Sequence, residues 1–223
     1  MSEPAPRPRW MTVALLSGSG AAFGVLTSLV NHGFGPSPGY VSKVLGVDVG
    51  WLVAGFVAAW GGRTFGRAAA RAAVFLVAAV VGYYASDSAL GVYASIPYDP
   101  RNPDAWDPNA EPVFQWGGVL LDLAYWTVMA GVTALLLGFV VWLIRRGGLR
   151  ALVGVLVVPT FIALLSWQKY RLLMNYRLDF DPEGKIMALW TAIAAVVAAV
   201  VAVVVWWRYL RTPQTSRESS SSR

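Results

Sequence analysis

The chain has 223 residues, 57% of them hydrophobic and 13% charged, where a soluble globular domain carries roughly 25% charged residues. So much apolar surface calls for lipid rather than a larger core. A formal charge of +6 would suit nucleic acid, but the basic residues fall in short clusters between apolar runs and form no basic face, which excludes that partner; the lack of cysteine excludes disulfides, thiolate metal sites and cysteine nucleophiles.

A spanning helix needs about 20 mainly apolar residues. Met11 to Val30 is the first such segment. It has the basic start of a secretory signal, yet no small-x-small cleavage site followed by a soluble domain, and it is read as a retained helix. Gly20 and Gly24 within it have the spacing of close helix packing, a weak sign of a homodimer, and Asn31 and His32 close it about 33 Å beyond Arg9. The second segment, Val44 to Trp60, is the weakest, because Asp48 shortens the charge-free run before Arg63. Arg63, Arg67 and Arg71 fill the link to the third, Ala72 to Tyr93, which carries Asp87 about 24 Å beyond Arg71.

The stretch from Ser95 to Gln115 is acidic and holds Pro97, Pro100, Pro103, Pro108 and Pro112, which forbid a continuous helix and predict a semi-extended loop. Val119 to Ile144 is the fourth segment, with Asp122 about 34 Å from Arg145. Arg145, Arg146 and Arg150 lead to the fifth, Ala151 to Trp167, in which Pro159 sits close to mid-membrane, frees the carbonyl of Val155 and bends the helix. A mixed loop, Lys169 to Lys185, precedes the sixth, Ile186 to Trp207. Residues 212–223 are Ser-rich and are expected to be disordered. The pattern predicts an all-α polytopic membrane protein, a bundle of about six transmembrane helices over residues 1–211.

Lys and Arg concentrate in cytoplasmic loops. The Arg clusters at Arg7/Arg9, Arg63 to Arg71, Arg145 to Arg150 and Arg208 to Arg223 all fall on one side, which puts both termini in the cytoplasm. The preference for Arg over Lys and the abundance of Ala and Val fit a GC-rich bacterium and its cytoplasmic (inner) membrane.

Charges in membrane segments are costly and are functional suspects. By depth, Asp48, Asp87 and Asp122 all lie in the outer third or at the outer interface. Tyr83 and Tyr84 precede Asp87 by four and three residues, and Tyr125 and Trp126 follow Asp122 by three and four, so each carboxylate shares a helix face with two aromatics. Tyr83, Tyr84, Asp87, Asp122, Tyr125 and Trp126 are therefore the candidate ligand site, gathered in one polar cluster and suited to a small cationic solute through charge and cation–π attraction. The plainer alternative is that the acids pair with Lys43, Lys169, Arg171 or Arg177 and that the aromatics merely line the interface.

Catalytic motifs are missing. No Gly-rich phosphate loop with a Lys is present. His32 has no second histidine at ligand spacing, so no metal site is expected, and no histidine within the bundle is placed to activate Ser17. No cofactor or catalytic residue is assigned.

The words Gly24-Val25-Leu26-Thr27-Ser28-Leu29-Val30-Asn31, Trp51-Leu52-Val53-Ala54-Gly55-Phe56 and Gly82-Tyr83-Tyr84-Ala85 resemble an uncharacterised family of small actinobacterial multi-pass membrane proteins, over roughly the first 95 residues. That resemblance implies no activity. In size and helix number the chain is also similar to the substrate-binding components of energy-coupling-factor vitamin transporters. The expectation is a protein that binds or moves a small solute through an outward-facing polar pocket. The alternatives are an accessory or scaffold subunit that docks other membrane subunits and, third, a membrane enzyme.

Overall fold

The computed structural model describes residues 9–33, 48–99, 102–106, 110–175 and 182–211. Lys43, Arg177 and the tail 212–223 lie outside them. Helix α1 (Arg9–Ser28) runs on into a π-helical turn, Leu29–Gly33. The helices that follow are α2 (Asp48–Trp60), α3 (Phe65–Ala89), α4 (Trp116–Arg145), α5 (Gly148–Asn175) and α6 (Pro182–Arg211). All except α2 contain a span long and apolar enough to cross a membrane. The apolar part of α2, Val49–Trp60, is shorter. Large apolar side chains such as Leu121 and Val128 face outward, while Ser28 and Asp87 are buried, the polarity of a helical bundle that has lipid for its solvent. The chain is an all-α membrane protein.

The chain divides into two compact units, Met1–Trp142 and Leu143–Arg223. In the first, α1 and α3 lie side by side and parallel. Gly20 sits against the backbone of Phe75, Gly24 against that of Ala79, and Ser28 reaches Asp87, so the two helices advance together. Glycine is required at this seam: a β-carbon on Gly20 or Gly24 would run into the main chain of α3, and one on Gly82 into that of α1 at Ala21. The Gly20–Gly24 motif thus packs within the chain, on α3.

Two parallel neighbours in succession oblige the intervening chain to return to the starting end. Helix α2 makes that return. At 1.5 Å per residue its 13 residues span about 20 Å, short of the roughly 30 Å of a hydrocarbon core. Its last turn is secured by Arg71, whose Nε donates to the carbonyl of Ala58 at 3.0 Å, a cation placed where the helix leaves carbonyls unpaired and its dipole is negative. Arg71 therefore belongs to α3, which begins at Phe65 and not at the predicted Ala72. Thr64 caps it by accepting from the backbone N–H of Arg67 at 3.3 Å, a Ser/Thr cap that outweighs the charge of the arginines. Helix α4 runs back antiparallel to α3, with Gly138 against Ala69 at one end and Asp122 near Tyr93 at the other.

Helix α3 stops at Ala89, before the predicted Tyr93, and a turn with Gly91 at φ 75° follows, a left-handed conformation natural to glycine. The proline-rich stretch contains short antiparallel pairs, β1 (Ala94–Ser95) with β4 (Val113–Phe114) and β2 (Tyr98–Asp99) with β3 (Asn102–Trp106), and no helix among its described residues.

In the second unit α5 and α6 form an antiparallel pair, with Trp206 Nε1 donating to the carbonyl of Gly148 at 3.3 Å. Helix α5 starts beside the end of α4, Gly154 packing on Leu143 and Ile144. It continues through Pro159 and past the predicted end at Trp167 to Asn175. Most of the predicted mixed loop is therefore helical, because Lys169 and Arg171 favour helix and carry long apolar stems that tolerate a membrane boundary.

Candidate cation site at the α1–α3 seam

Asp87 lies near the end of α3 and is 2% exposed. A buried carboxylate is costly unless hydrogen-bonded and paired. Both needs are met from α1. Ser28 Oγ donates to Asp87 Oδ1 at 2.6 Å, and His32 Nδ1 lies 2.9 Å from the same oxygen. Ser28 and His32 are four residues apart, hence on one helical face, and the π-helical turn carries His32 past the close-packed seam, where its ring is 37% exposed. Asp87 thus sits inside the bundle with a histidine between it and the surroundings.

Aromatic rings extend from this pair. Asn31 Nδ2 donates to the Tyr83 hydroxyl at 3.3 Å. The Tyr83 ring meets the His32 ring edge to face at 6.2 Å and that of Trp51, on α2, at 6.1 Å; Trp51 packs in turn on Phe23 at 5.5 Å. On the other side Tyr83 contacts Tyr84 at 5.4 Å and Tyr84 contacts Tyr93 at 6.2 Å. The Tyr93 hydroxyl donates to Asp122 Oδ2 at 2.8 Å. Burial pushes the Tyr93 phenol well above its ordinary value of 10.0, and its bond to Asp122 adds to the rise. It therefore remains a proton donor to the carboxylate at any physiological pH. Tyr84 and Tyr93 each feel the charge of both acids.

Tyr83, Tyr84 and Asp87 therefore come together, and Asp122 joins them through Tyr93. Tyr125 and Trp126 do not. They are 56% and 42% exposed and stack on each other edge to face at 5.3 Å, turned outward like the aromatic belt of a membrane interface. A shared helix face spans too wide an arc to force three side chains into one contact. Asp87 takes His32 as its ring partner, an ion pair when that ring is protonated, a pairing absent from the sequence reading. Lys169 and Arg171 belong to the second unit.

Sequence reasoning missed Ser28, His32, Trp51 and Tyr93 as members of the cluster. The available signal was depth: His32 and Asp87 fall at the same end of their helices, and Ser28 shares a face with His32. Among the described residues no three His, Asp or Glu side chains gather as a metal site would require. The arrangement is chemically able to hold a proton or a cation: a buried anion, a histidine ring beside it, and the Tyr83 ring against that histidine. Comparison of the chain with protein-family models, curated proteins and solved structures gives no match.

Proposed function

We propose that the chain is a solute-binding protein of the bacterial cytoplasmic membrane that takes a small organic cation at Asp87. The observation that carries this reading is an acid 2% exposed inside a membrane bundle, whose partner His32 meets the ring of Tyr83, with Trp51 beyond it. Charge attraction and cation–π contact act together on an ammonium group in such a setting. The site lies at the end of α3 opposite Arg63 and Arg67. With the Arg-rich end cytoplasmic the cluster faces outward and both termini lie inside.

A thermal-shift titration of the detergent-purified protein with tetramethylammonium chloride, against sodium chloride at equal ionic strength, tests it. A ligand that binds only the folded form at 100 times its Kd adds about 2.7 kcal/mol of stability. Stabilisation that Asp87→Asn abolishes supports the reading; equal curves in both salts overturn it. The second reading, an accessory subunit of a membrane complex, is favoured by one observation: Asp87 Oδ1 already has two partners from its own chain, as a staple between α1 and α3 would.

A further inference from the structure

We infer that the cation is exchanged for a proton, with His32 as the group that carries it. The inference rests on the cation reading above and adds the coupling ion. His32 Nδ1 and Ser28 Oγ converge on one oxygen of Asp87, so an ammonium group that seats on that oxygen shares or displaces the position that the imidazole ring occupies. Ser28 is fully buried and held in the seam, whereas His32 is 37% exposed and stands on the π-helical turn beyond it. His32 is the partner with room to leave.

When protonated, the His32 ring against Asp87 is an internal version of the ligand. It is then a flat cation on the carboxylate, its ring T-shaped against that of Tyr83. One positive charge satisfies one buried carboxylate. Two would face each other across a short gap with aromatic walls, where repulsion is weakly screened. When the ammonium group arrives, imidazolium therefore gives its N–H proton to water or buffer and the neutral ring moves aside. When the cation leaves, the ring takes a proton back and returns to Oδ1. Charge at the site is conserved through the cycle. Among the described residues the titratable groups facing His32 are Asp87 and Tyr83, both from α3; Ser28 and Asn31 flank it on its own segment, and Trp51 of α2 stands behind Tyr83.

Direct proton counting tests this. Tetramethylammonium chloride is added to the full-length protein in weakly buffered detergent solution, and the released protons are titrated alongside a calorimetric measurement of binding. Across a pH series the wild type is expected to release up to one proton per cation that calorimetry records as bound, and His32→Gln none per cation bound, whatever its affinity. Binding without proton release, or equal release from His32→Gln, overturns the exchange and leaves the cation site standing. No binding by the wild type removes the cation reading itself and the exchange with it. Should His32→Gln fail to fold, the wild type decides alone. One-for-one competition weakens the apparent Kd about tenfold per pH unit as the histidine becomes charged, and an affinity flat across that range overturns the exchange.

Discussion

Asp87 and Asp122 are both carboxylates beside tyrosines, yet their surroundings assign them different work. Asp87 is enclosed, and each donor it holds counts. Removing the Ser28 hydroxyl leaves a buried acceptor short of one bond, which costs about 1–3 kcal/mol. Ser28→Ala is expected to lower the unfolding free energy by that amount in a detergent denaturation series, and an unchanged midpoint would refute the bond. Asp122 sits at the rim, and its partner Tyr93 lies outside the helices. The raised Tyr93 phenol gives a pH dependence whose sign is fixed. Below 10.0, the ordinary value, folded and unfolded chains are both protonated and the full stability is present. Above it the unfolded chain loses its proton first, so stability declines as pH climbs toward the folded value. Tyr93→Phe should remove that part of the alkaline decline, read as the difference between the two melting-temperature profiles above pH 10.0.

Among the elements, the α1–α3 seam decides whether the site exists at all, since Ser28 and His32 reach Asp87 only if the helices stay in backbone contact. Gly24→Val places side-chain atoms where the Ala79 and Tyr83 main chain already stands; overpacking against backbone is expected to cost about 3 kcal/mol, the upper end of the usual range. Gly18, on the same helix, has nothing within 4 Å of an added β-carbon, so Gly18→Ala should be neutral or stabilising by up to about 1 kcal/mol. Thermal melts of the two variants check the contrast, and similar losses from both would mean that the seam is not where α1 is held. The six helices were legible in the sequence because apolar runs of spanning length leave few alternatives in lipid, and Gly20 and Gly24 were legible as a packing motif. Their partner was not. Gly82 on α3 has only Ala78 and Ser86, not a second glycine, at that spacing, and which two helices touch depends on long-range contacts that periodicity does not encode. For the same reason His32 was seen as a lone histidine at a helix end, while its pairing with Asp87, 55 residues away, was not. Tyr125 and Trp126 show the converse: spacing alone put them beside Asp122, and lipid drew them outward.

For the whole molecule, the parallel packing of α1 and α3 constrains the path through the membrane independently of the charge rule. The Arg end of α3 must lie on the side where α1 begins, and the turn after Asp87, with the proline-rich stretch behind it, on the other. The short α2 is then the descending limb of the first unit. Because the protein has no native cysteine, single cysteines report sidedness without background. Gly66→Cys stands in open space at the start of α3, and Asn102→Cys lies in β3. An impermeant maleimide applied to intact spheroplasts should label position 102 and not 66, and inverted vesicles should reverse the pattern. Labelling of both positions from the same side would mean that α3 does not cross, and with it the α1–α3 seam, the enclosed Asp87 and the cation site would all have to be abandoned. The reversed pattern, 66 from outside and 102 from inside, would keep the fold and the site but turn the mouth of the site toward the cytoplasm.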